Sequence, residues 1–187
     1  FCYYLRLNKK NERGRIQLII RDITDEVMEA TTDPLTHAFN RRYINDFMAK
    51  ESERSKRLNL KFSITIVDID DFKKINDQHG HPVGDEALTA FTDCIQSRLR
   101  GYDVLGRYGG EEFLIVMPEL EKDPAASVVE RLRKRVEDLK IRLENDRIIR
   151  LTASFGIASY PEDGDSPKDL LIKADRRLYR AKSQGKN

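Results

Sequence analysis

Long apolar runs and an excess of charge of one sign are both missing from this chain of 187 residues. No stretch approaches the roughly 20 apolar residues that a transmembrane helix requires, and no signal peptide is visible. The 34 basic and 32 acidic side chains nearly cancel, so no overall field favours nucleic acid as a partner. We therefore expect a cytoplasmic domain that binds no nucleic acid. This expectation concerns the domain alone and leaves open a membrane anchor upstream in the full-length protein.

Cysteine is also scarce, since only Cys2 and Cys94 are present. They lie in unrelated segments and lack the spacing of metal ligands, which favours a reducing compartment over a disulfide framework. Cys94 falls within an amphipathic helical pattern, where we expect a small buried hydrophobic residue. The chain opens abruptly at FCYYLRL and stops at SQGKN, and both ends indicate a piece of a longer protein.

The first 32 residues predict an appendage to a larger domain. Residues 2–7 and 15–21 are rich in strand-forming side chains around a polar insert, which predicts a β-hairpin. Ile23, Val27 and Ala30 follow on one helical stripe. This spacing suits a short two-stranded coiled coil, and it equally suits a helix packed on its own domain.

From residue 33 onward, helical and strand patterns alternate, and they predict one α+β domain. The predicted order is a helix capped by Asn40, a buried strand at 62–67, a short helix at 71–77, a loop at 78–84, a helix at 85–99, a hairpin around residues 109–110, a helix at 124–145, a strand at 147–159 and a helix capped by Ser166. This order matches the ferredoxin-like βαββαβ core, an antiparallel sheet with helices on one face.

Carboxylates follow two of these strands. Asp68 ends the first strand, and Glu111 and Glu112 follow Gly109 and Gly110 in the hairpin. In the predicted topology these positions meet at one sheet edge, where three carboxylates would repel one another unless cations lie between them. Hard oxygen ligands in that number suit Mg²⁺ bound together with substrate phosphates. The glycines would supply the positive φ of a tight turn and let a phosphate or a base approach the backbone.

Each acidic residue also has a plainer explanation. Asp70, Asp71 and Asp85 stand before predicted helices, where a carboxylate commonly caps the helix. The two glutamates after the turn also fit exposed strand positions. The predicted convergence at the sheet edge is what favours the metal interpretation, because crowded carboxylates need a compensating charge.

Six segments occur in the order and at the spacing of one family: DPLTHAFNRR, VDIDDFKKIND, GHPVGDEAL, RYGGEEF, ASFGIAS and ADRRLYRAKSQGKN. On these segments, residues 33–187 resemble the GGDEF family, the diguanylate cyclases. The resemblance implies a palm-type nucleotidyl cyclase that converts two GTP molecules into cyclic di-GMP and two pyrophosphates. It also implies a homodimer, since each chain would offer a half-site for one GTP.

The resemblance implies roles for individual residues. Asp68, the backbone carbonyl of Ile69 and Glu111 would hold two Mg²⁺ ions per half-site, and Mn²⁺ would also serve. Glu112 would bind metal or help deprotonate the attacking 3′-hydroxyl, and Lys73 counts with the two glutamates as catalytic. The ions would activate the 3′-oxygen and stabilise charge on the α-phosphate and the leaving pyrophosphate.

Further positions match the family's contacts to substrate and product. Asn76 and Asp85 would read guanine, whose N1–H and N2–H donors suit a carboxylate. Arg100 and Asp103 match the RxxD site, where a product dimer inhibits the enzyme, although an Arg-Gly pair is also typical of an ordinary helix end. The remaining contacts to GTP would come from Phe72, Lys73, His81, Gly109, Gly110, Lys182 and Lys186, of which His81 equally fits a structural position.

The chain departs from the family at its entry into the domain. The family usually has Gly-Leu where this chain has His37 and Ala38, a difference that bears on coupling more than on chemistry. The chain also stops before the family's usual last strand. Residues 1–22 resemble the C-terminal hairpin of a PAS sensor, and residues 23–32 its linker helix. Such a sensor would set how often two half-sites meet.

Three other functions fit parts of this pattern. They are a non-catalytic receptor for cyclic di-GMP or GTP, a palm-type cyclase that makes a cyclic mononucleotide, and a module that only dimerises a sensor. The complete set of acidic residues argues against the receptor. The positions that match guanine contacts argue against the mononucleotide cyclase. The crowded carboxylates argue against a purely structural role.

Overall fold

The computed structural model describes residues 2–8, 17–143 and 146–186. In chain order, its elements are β1 (Tyr3–Asn8), β2 (Gln17–Asp22), α1 (Thr24–Thr31), α2 (Arg41–Leu58), β3 (Phe62–Ile69), α3 (Phe72–His79), α4 (His81–Gln96), β4 (Val104–Arg107), β5 (Glu112–Pro118), α5 (Lys122–Glu137), β6 (Ile141–Arg142), β7 (Ile148–Ile149), β8 (Ala153–Tyr160) and α6 (Pro167–Ser183).

A four-stranded antiparallel sheet in the order β4-β5-β3-β8 forms the centre of the domain. Strand β3 is buried along its whole length, because its apolar residues face helices on both sides. The crossover connections through α3–α4 and through α5 complete the predicted βαββαβ core. The predicted α+β, ferredoxin-like fold is therefore confirmed.

Helices cover both faces of the sheet, so the prediction of helices on one face is wrong. Residues of α4 and α5, such as Phe91 and Leu132, pack with Phe113 on one face. Residues of α2 and α6, such as Ile44 and Leu178, pack on the other face. Alternate side chains of β5 and β3 are apolar on both faces, and each face therefore needs a covering layer.

Helices α2 and α6 begin with the predicted capping residues. The side-chain oxygen of Asn40 accepts a hydrogen bond from the backbone N–H of Tyr43 at the start of α2. Ser166 accepts one from the N–H of Asp169 at the start of α6. These bonds satisfy backbone donors that have no partner within the helix.

The predicted loop at 78–84 is wrong, because α3 continues to His79 and α4 begins at His81. Gly80 alone separates the two helices, with a φ of 86° that favours glycine. Pro82 lies in the first turn of α4, where its missing N–H costs nothing. Cys94, on the same helix, is only half-buried.

The predicted helix at 124–145 is also too long, because α5 ends at Glu137. The chain then forms the short β6–β7 pair, which the sequence did not predict, and the strand expected at 147–159 is divided between β7 and β8. Ile141 and Leu143 pack into the core below α5, and that burial favours a turn over a longer helix.

The predicted N-terminal hairpin is confirmed, since β1 and β2 pair in antiparallel register. Its polar insert lies outside the described residues. Helix α1 follows at the predicted place, and none of its residues is buried. In the part of the chain that the structure describes, no helix is long and apolar enough to cross a membrane.

His37 has a φ of 57°, in the left-handed region. This conformation favours glycine, the residue that the family usually has there. Ala38 is fully buried, at a position where the family usually has the larger leucine. The backbone therefore keeps the turn that leads from α1 into the domain, although this chain lacks the glycine.

Candidate active site at the strand ends

The carboxylates of β3 and β5 meet at one edge of the sheet. Asp68 lies opposite Glu112 in the antiparallel register, and the N–H of Ile69 donates to the carbonyl of Glu111 at 3.3 Å. Asp68 is buried, and both glutamates are half-buried. The structure therefore brings together the segments VDID and GGEEF, as the topology predicted.

The electrostatics of this edge are unbalanced. Burial raises the pKa of Glu111, the negative charges of Asp68 and Glu112 raise it further, and Lys182 opposes them. The Nζ of Lys182 lies 2.7 Å from Oδ1 of Asp68. Lys186 also acts on Asp68, but its ammonium group is paired with Asp71, so the edge keeps an excess of negative charge.

The expectation that only metal ions compensate these carboxylates needs correction, because Lys182 already does so in part. Among the described residues, no three acidic, histidine or cysteine side chains stand close enough to hold a metal ion. The donor set nonetheless fits a divalent cation. It offers carboxylate oxygens of Asp68, Glu111 and Glu112 beside the carbonyl of Ile69, and hard oxygen donors in negative surroundings are what Mg²⁺ prefers.

The predicted positive φ at the glycine turn is wrong, because neither Gly109 nor Gly110 has a left-handed φ. A Cβ on Gly109 would lie 2.8 Å from Oε2 of Glu112, whereas one on Gly110 would meet no atom within 4 Å. Gly109 therefore makes room for the Glu112 carboxylate, and Gly110 leaves the outer surface of the turn open.

Arg107 holds this turn in place, a role that the sequence reasoning missed although the residue begins the RYGGEEF segment. Its Nη2 donates to the carbonyl of Gly110 at 2.8 Å, and its Nη1 to Oδ1 of Asp33 at 3.0 Å. Burial opposes charge on Asp33, but hydrogen bonds from Thr36 and Arg107 lower its pKa. The start of the domain is thereby tied to the turn.

Two other acidic residues at the end of β3 do not cap the following helix, so that alternative is wrong for them. Asp70 accepts hydrogen bonds from Thr152 at 2.8 Å and Ser154 at 2.7 Å, and it thereby fastens β3 to β8. Asp71 makes no side-chain capping bond. Its carboxylate instead pairs with Lys74 at 2.9 Å and with Lys186 at 2.8 Å.

The N-terminus of α3 therefore lies next to the carboxylates without a side-chain cap. Phe72 and Lys73 supply the first two backbone N–H groups of this helix. Phe72 itself is buried, and the side chain of Lys73 is exposed. Uncapped N–H groups at a helix N-terminus favour an anion such as phosphate.

Asn76 on α3 lies against Gly84 of α4, the residue before Asp85. A Cβ on Gly84 would lie 1.9 Å from Oδ1 of Asn76, so the amide lies directly against the residue that precedes Asp85. Asp85 lies within α4 and is exposed, so the alternative that it caps this helix is wrong. His81 is exposed as the first residue of α4.

Gly84 is a second residue whose role the sequence reasoning missed. The sequence places it in the GHPVGDEAL segment but does not reveal that the Asn76 side chain occupies the space of its missing Cβ.

The predicted product site lies at the opposite end of β4 from the glycine turn. Oδ2 of Asp103 accepts a hydrogen bond from the N–H of Arg100 at 2.9 Å. Its Oδ1 is buried and has no hydrogen-bond partner among the described residues, and burial raises the pKa of this carboxyl. The guanidinium of Arg100 contacts Tyr102 rather than Asp103.

Comparisons with known proteins give one consistent result. A family model described as "Diguanylate cyclase, GGDEF domain" matches residues 30–187. The response regulator PleD of Caulobacter vibrioides is 36% identical over 184 residues, and diguanylate cyclase DosC of Escherichia coli is 35% identical over 183. Each alignment covers 97% of this chain but 40% of the relative, so the chain spans about two fifths of their length.

Two solved structures have the same fold. One is diguanylate cyclase SiaD of Pseudomonas aeruginosa with its activator SiaC (TM-score 0.80, 35% identity, 86% of this chain and 61% of that chain). The other is the GGDEF domain of DgcB from Caulobacter crescentus in complex with c-di-GMP (TM-score 0.80, 28% identity, 84% of this chain and 93% of that chain).

Proposed function

Because the chain belongs to the GGDEF family of diguanylate cyclases, we propose that it condenses two GTP molecules into cyclic di-GMP with release of two pyrophosphates. The single observation that carries this proposal is the convergence of Asp68, Glu111 and Glu112 at one sheet edge with an incompletely compensated charge. A structural domain gains nothing from such repulsion, whereas a nucleotidyl transferase needs it to attract cations.

Asp68, the carbonyl of Ile69, Glu111 and Glu112 would hold the divalent cations, two Mg²⁺ ions or Mn²⁺ in their place. When bound, these ions would neutralise the phosphates and lower the pKa of the attacking 3′-hydroxyl. Because Lys182 contacts Asp68 at 2.7 Å, its ammonium would exchange that contact for one with a phosphate. Glu112 would accept the hydroxyl proton or complete the ligand set.

The rest of the half-site would bind one GTP. The backbone N–H groups of Phe72 and Lys73 at the N-terminus of α3, with the ammonium groups of Lys73, Lys182 and Lys186, would hold the triphosphate. Lys186 already lies beside α3 through its 2.8 Å contact with Asp71. The open surface of the glycine turn would let the nucleotide approach the backbone.

Asn76 and Asp85 would read the base. A carboxylate accepts the paired N1–H and N2–H donors of guanine, and adenine would leave it unpaired. The position of the Asn76 amide against Gly84 supports a shared site with Asp85. His81, exposed at the start of α4, would close the same end of the site.

One domain would bind one GTP, so two chains would face each other to form both phosphodiester bonds. The solvent-exposed helix α1 supports pairing between two chains at this segment. We propose residues 1–22 as the end of a PAS-like sensor, residues 23–32 as the signalling helix and residues 33–187 as the cyclase domain. The sensor would then control how often the half-sites meet.

Arg100 and Asp103 would bind cyclic di-GMP as a feedback inhibitor. The buried Oδ1 of Asp103, which finds no hydrogen-bond partner in the described part of the chain, supports this role, because a guanine edge would supply donors to it. The same oxygen also favours a second candidate function, a receptor that binds cyclic di-GMP without turning over GTP.

Incubation of the chain with GTP and MgCl₂, followed by ion-exchange chromatography, separates these functions. We expect one cyclic di-GMP for every two GTP consumed, and no product from ATP. Intact GTP together with measurable cyclic di-GMP binding would identify the receptor instead. A cyclic mononucleotide as the product would contradict both.

A further inference from the structure

The outward face of α6 forms a cleft directly beside Glu112. The cleft encloses about 420 Å³, and its walls include two carboxylates, three cations and an aromatic ring: Glu112, Asp175, Arg176, Arg180, Lys182 and Tyr179. It is therefore continuous with the proposed active site, since Glu112 and Lys182 belong to both. Arg176, Tyr179 and Arg180 have no role in the function proposed above.

These three side chains are available to a ligand. Tyr179 is 73% exposed, which is unusual for a large aromatic residue beside an active site. In the described part of the chain, Arg176 and Arg180 make no side-chain hydrogen bond or ion pair, whereas their neighbour Arg177 is bound to Asp163. Two free guanidinium groups and an aromatic ring are the groups that bind a nucleotide.

We propose that this cleft receives the nucleotide carried by a second copy of the chain, an inference that rests on the proposed function. In that reaction the 3′-oxygen of one nucleotide bonds to the α-phosphorus of the other while the bond to pyrophosphate breaks. The second nucleotide is bound to the partner copy, so it must approach Glu112 from outside the half-site that holds this chain's own GTP. Arg176 and Arg180 contact its phosphates, and Tyr179 packs against its ribose or base.

The direction of α6 separates this cleft from the site of the chain's own GTP. Lys182 lies in the last turn of α6 and Lys186 three residues beyond its end, and they reach Asp68 and Asp71, respectively, near α3. Arg176 lies six residues earlier, about 9 Å back along the helix axis. Arg180 lies between Arg176 and Lys182 in the chain, so the cations of the cleft extend from Lys182 toward the middle of α6, whereas Lys182 itself reaches Asp68.

The test compares a double charge reversal, Arg176→Glu with Arg180→Glu, and a separate Tyr179→Ala variant with the unchanged chain. Lys168→Glu is the matched control, because Lys168 is exposed on the same helix but about 12 Å from Arg176 along the axis. Tyr179→Phe keeps the ring and removes the hydroxyl. The measurements are the rate of cyclic di-GMP formation at several protein concentrations, the affinity for guanosine 5′-(α,β-methylene)triphosphate, and dimer formation with that analogue by sedimentation velocity.

We expect the charge reversal and Tyr179→Ala to lower the rate about 10- to 100-fold, the effect of losing charge-assisted contacts. Affinity for the analogue should stay within about twofold, and analogue-driven dimerisation should weaken as much as the rate. Because the lost contacts join two copies, the rate should partly recover as the protein concentration rises. Lys168→Glu should behave like the unchanged chain, and Tyr179→Phe should lose less of the rate than Tyr179→Ala because it keeps the ring.

Two results would overturn the proposal. One is a full rate from both altered chains, and the other is an analogue affinity that falls as far as the rate, which would assign the cleft to the chain's own GTP. If the unchanged chain dimerises with the analogue and the variants do not, the cleft role is supported. That holds even if no cyclic di-GMP forms, a result that would reject the proposed activity alone.

Discussion

The antiparallel pair of β3 and β8 has carboxylates near both of its ends, and the balance of charge around them differs. Near the start of β3, Asp163 accepts two 2.7 Å hydrogen bonds from Arg177 and one of 3.1 Å from the N–H of Ser159, and Lys122 lies 3.4 Å away. Burial alone would raise the pKa of Asp163, but these partners lower it to about 2. Its charge is fully compensated.

At the other end, Lys182 pairs with Asp68 and its charge also acts on Glu111, while Lys186, which pairs with Asp71, acts on Asp68 at longer range. Helix α6 supplies the cation at both ends, Arg177 at one and Lys182 at the other. The compensated carboxylate fastens the fold, and the uncompensated group leaves charge for a ligand. Under-compensated charge at a sheet edge therefore marks the site better than the presence of acidic residues does.

Removing the charge of Glu112 should have the largest effect. We expect Glu112→Gln to lower the rate of cyclic di-GMP formation by about a thousandfold, the usual loss when a group that transfers a proton is removed. The free energy of unfolding should stay within about 0.5 kcal/mol, since Glu112 is not needed for packing. Product chromatography and urea unfolding measure the two quantities. A large loss of stability would show that Glu112 also stabilises the fold, and the carboxylates at the two ends of β3 would then not differ in role.

The corresponding change at the other end should do the reverse. Asp163→Asn leaves Arg177 without its carboxylate, and we expect a loss of about 2–3 kcal/mol in the free energy of unfolding at pH 7. The rate per folded molecule should not change. In wild type this stabilisation is present above the ordinary Asp pKa of 3.8 and is lost as the pH falls toward 2. Urea titrations at several pH values measure this stabilisation. A difference in unfolding free energy between wild type and variant that does not change with pH would contradict the role given to Asp163.

A change at the glycine turn should affect only the site. We expect Gly109→Ala to lower the rate about tenfold, because the new Cβ lies 2.8 Å from Oε2 of Glu112 and displaces a carboxylate that must be well positioned. Gly110→Ala is the matched control, since a Cβ there meets no atom within 4 Å. Equal rates for the two variants would show that the Glu112 carboxylate tolerates displacement.

Glu111 should give the smallest effect and the opposite sign to Asp163. Because its pKa in the folded chain is raised, wild type loses stability as the pH rises through and above the ordinary value of 4.5. Glu111→Gln should therefore be more stable than wild type at pH 7, by less than about 1 kcal/mol. The gain should vanish below about pH 4, where both forms are neutral. Thermal unfolding at pH 4 and pH 7 tests this, and a variant less stable at pH 7 would contradict it.

Local patterns predicted the parts of the fold that neighbouring residues decide. The apolar run of β3 and the caps Asn40 and Ser166 were read correctly, since burial and capping act over a few residues. Residues 78–84 were misread because Gly80 and Pro82 are typical of loops, yet here they separate and start two helices. The end of α5 was misread because the burial of Ile141 depends on residues far away in the chain.

The amino-acid sequence by itself determined that the four strands of the central sheet form, that they pair in antiparallel fashion, and that acidic residues lie at the ends of two of them. Only the tertiary structure decided that helices cover both faces, that Lys182 neutralises part of the carboxylate charge, and that Gly109 makes room for Glu112 instead of supplying a positive φ. The physical reason is the separation along the chain between the residues that interact. Secondary structure follows from the periodicity of nearby side chains, whereas charge balance and steric space depend on atoms that only the folded chain brings together.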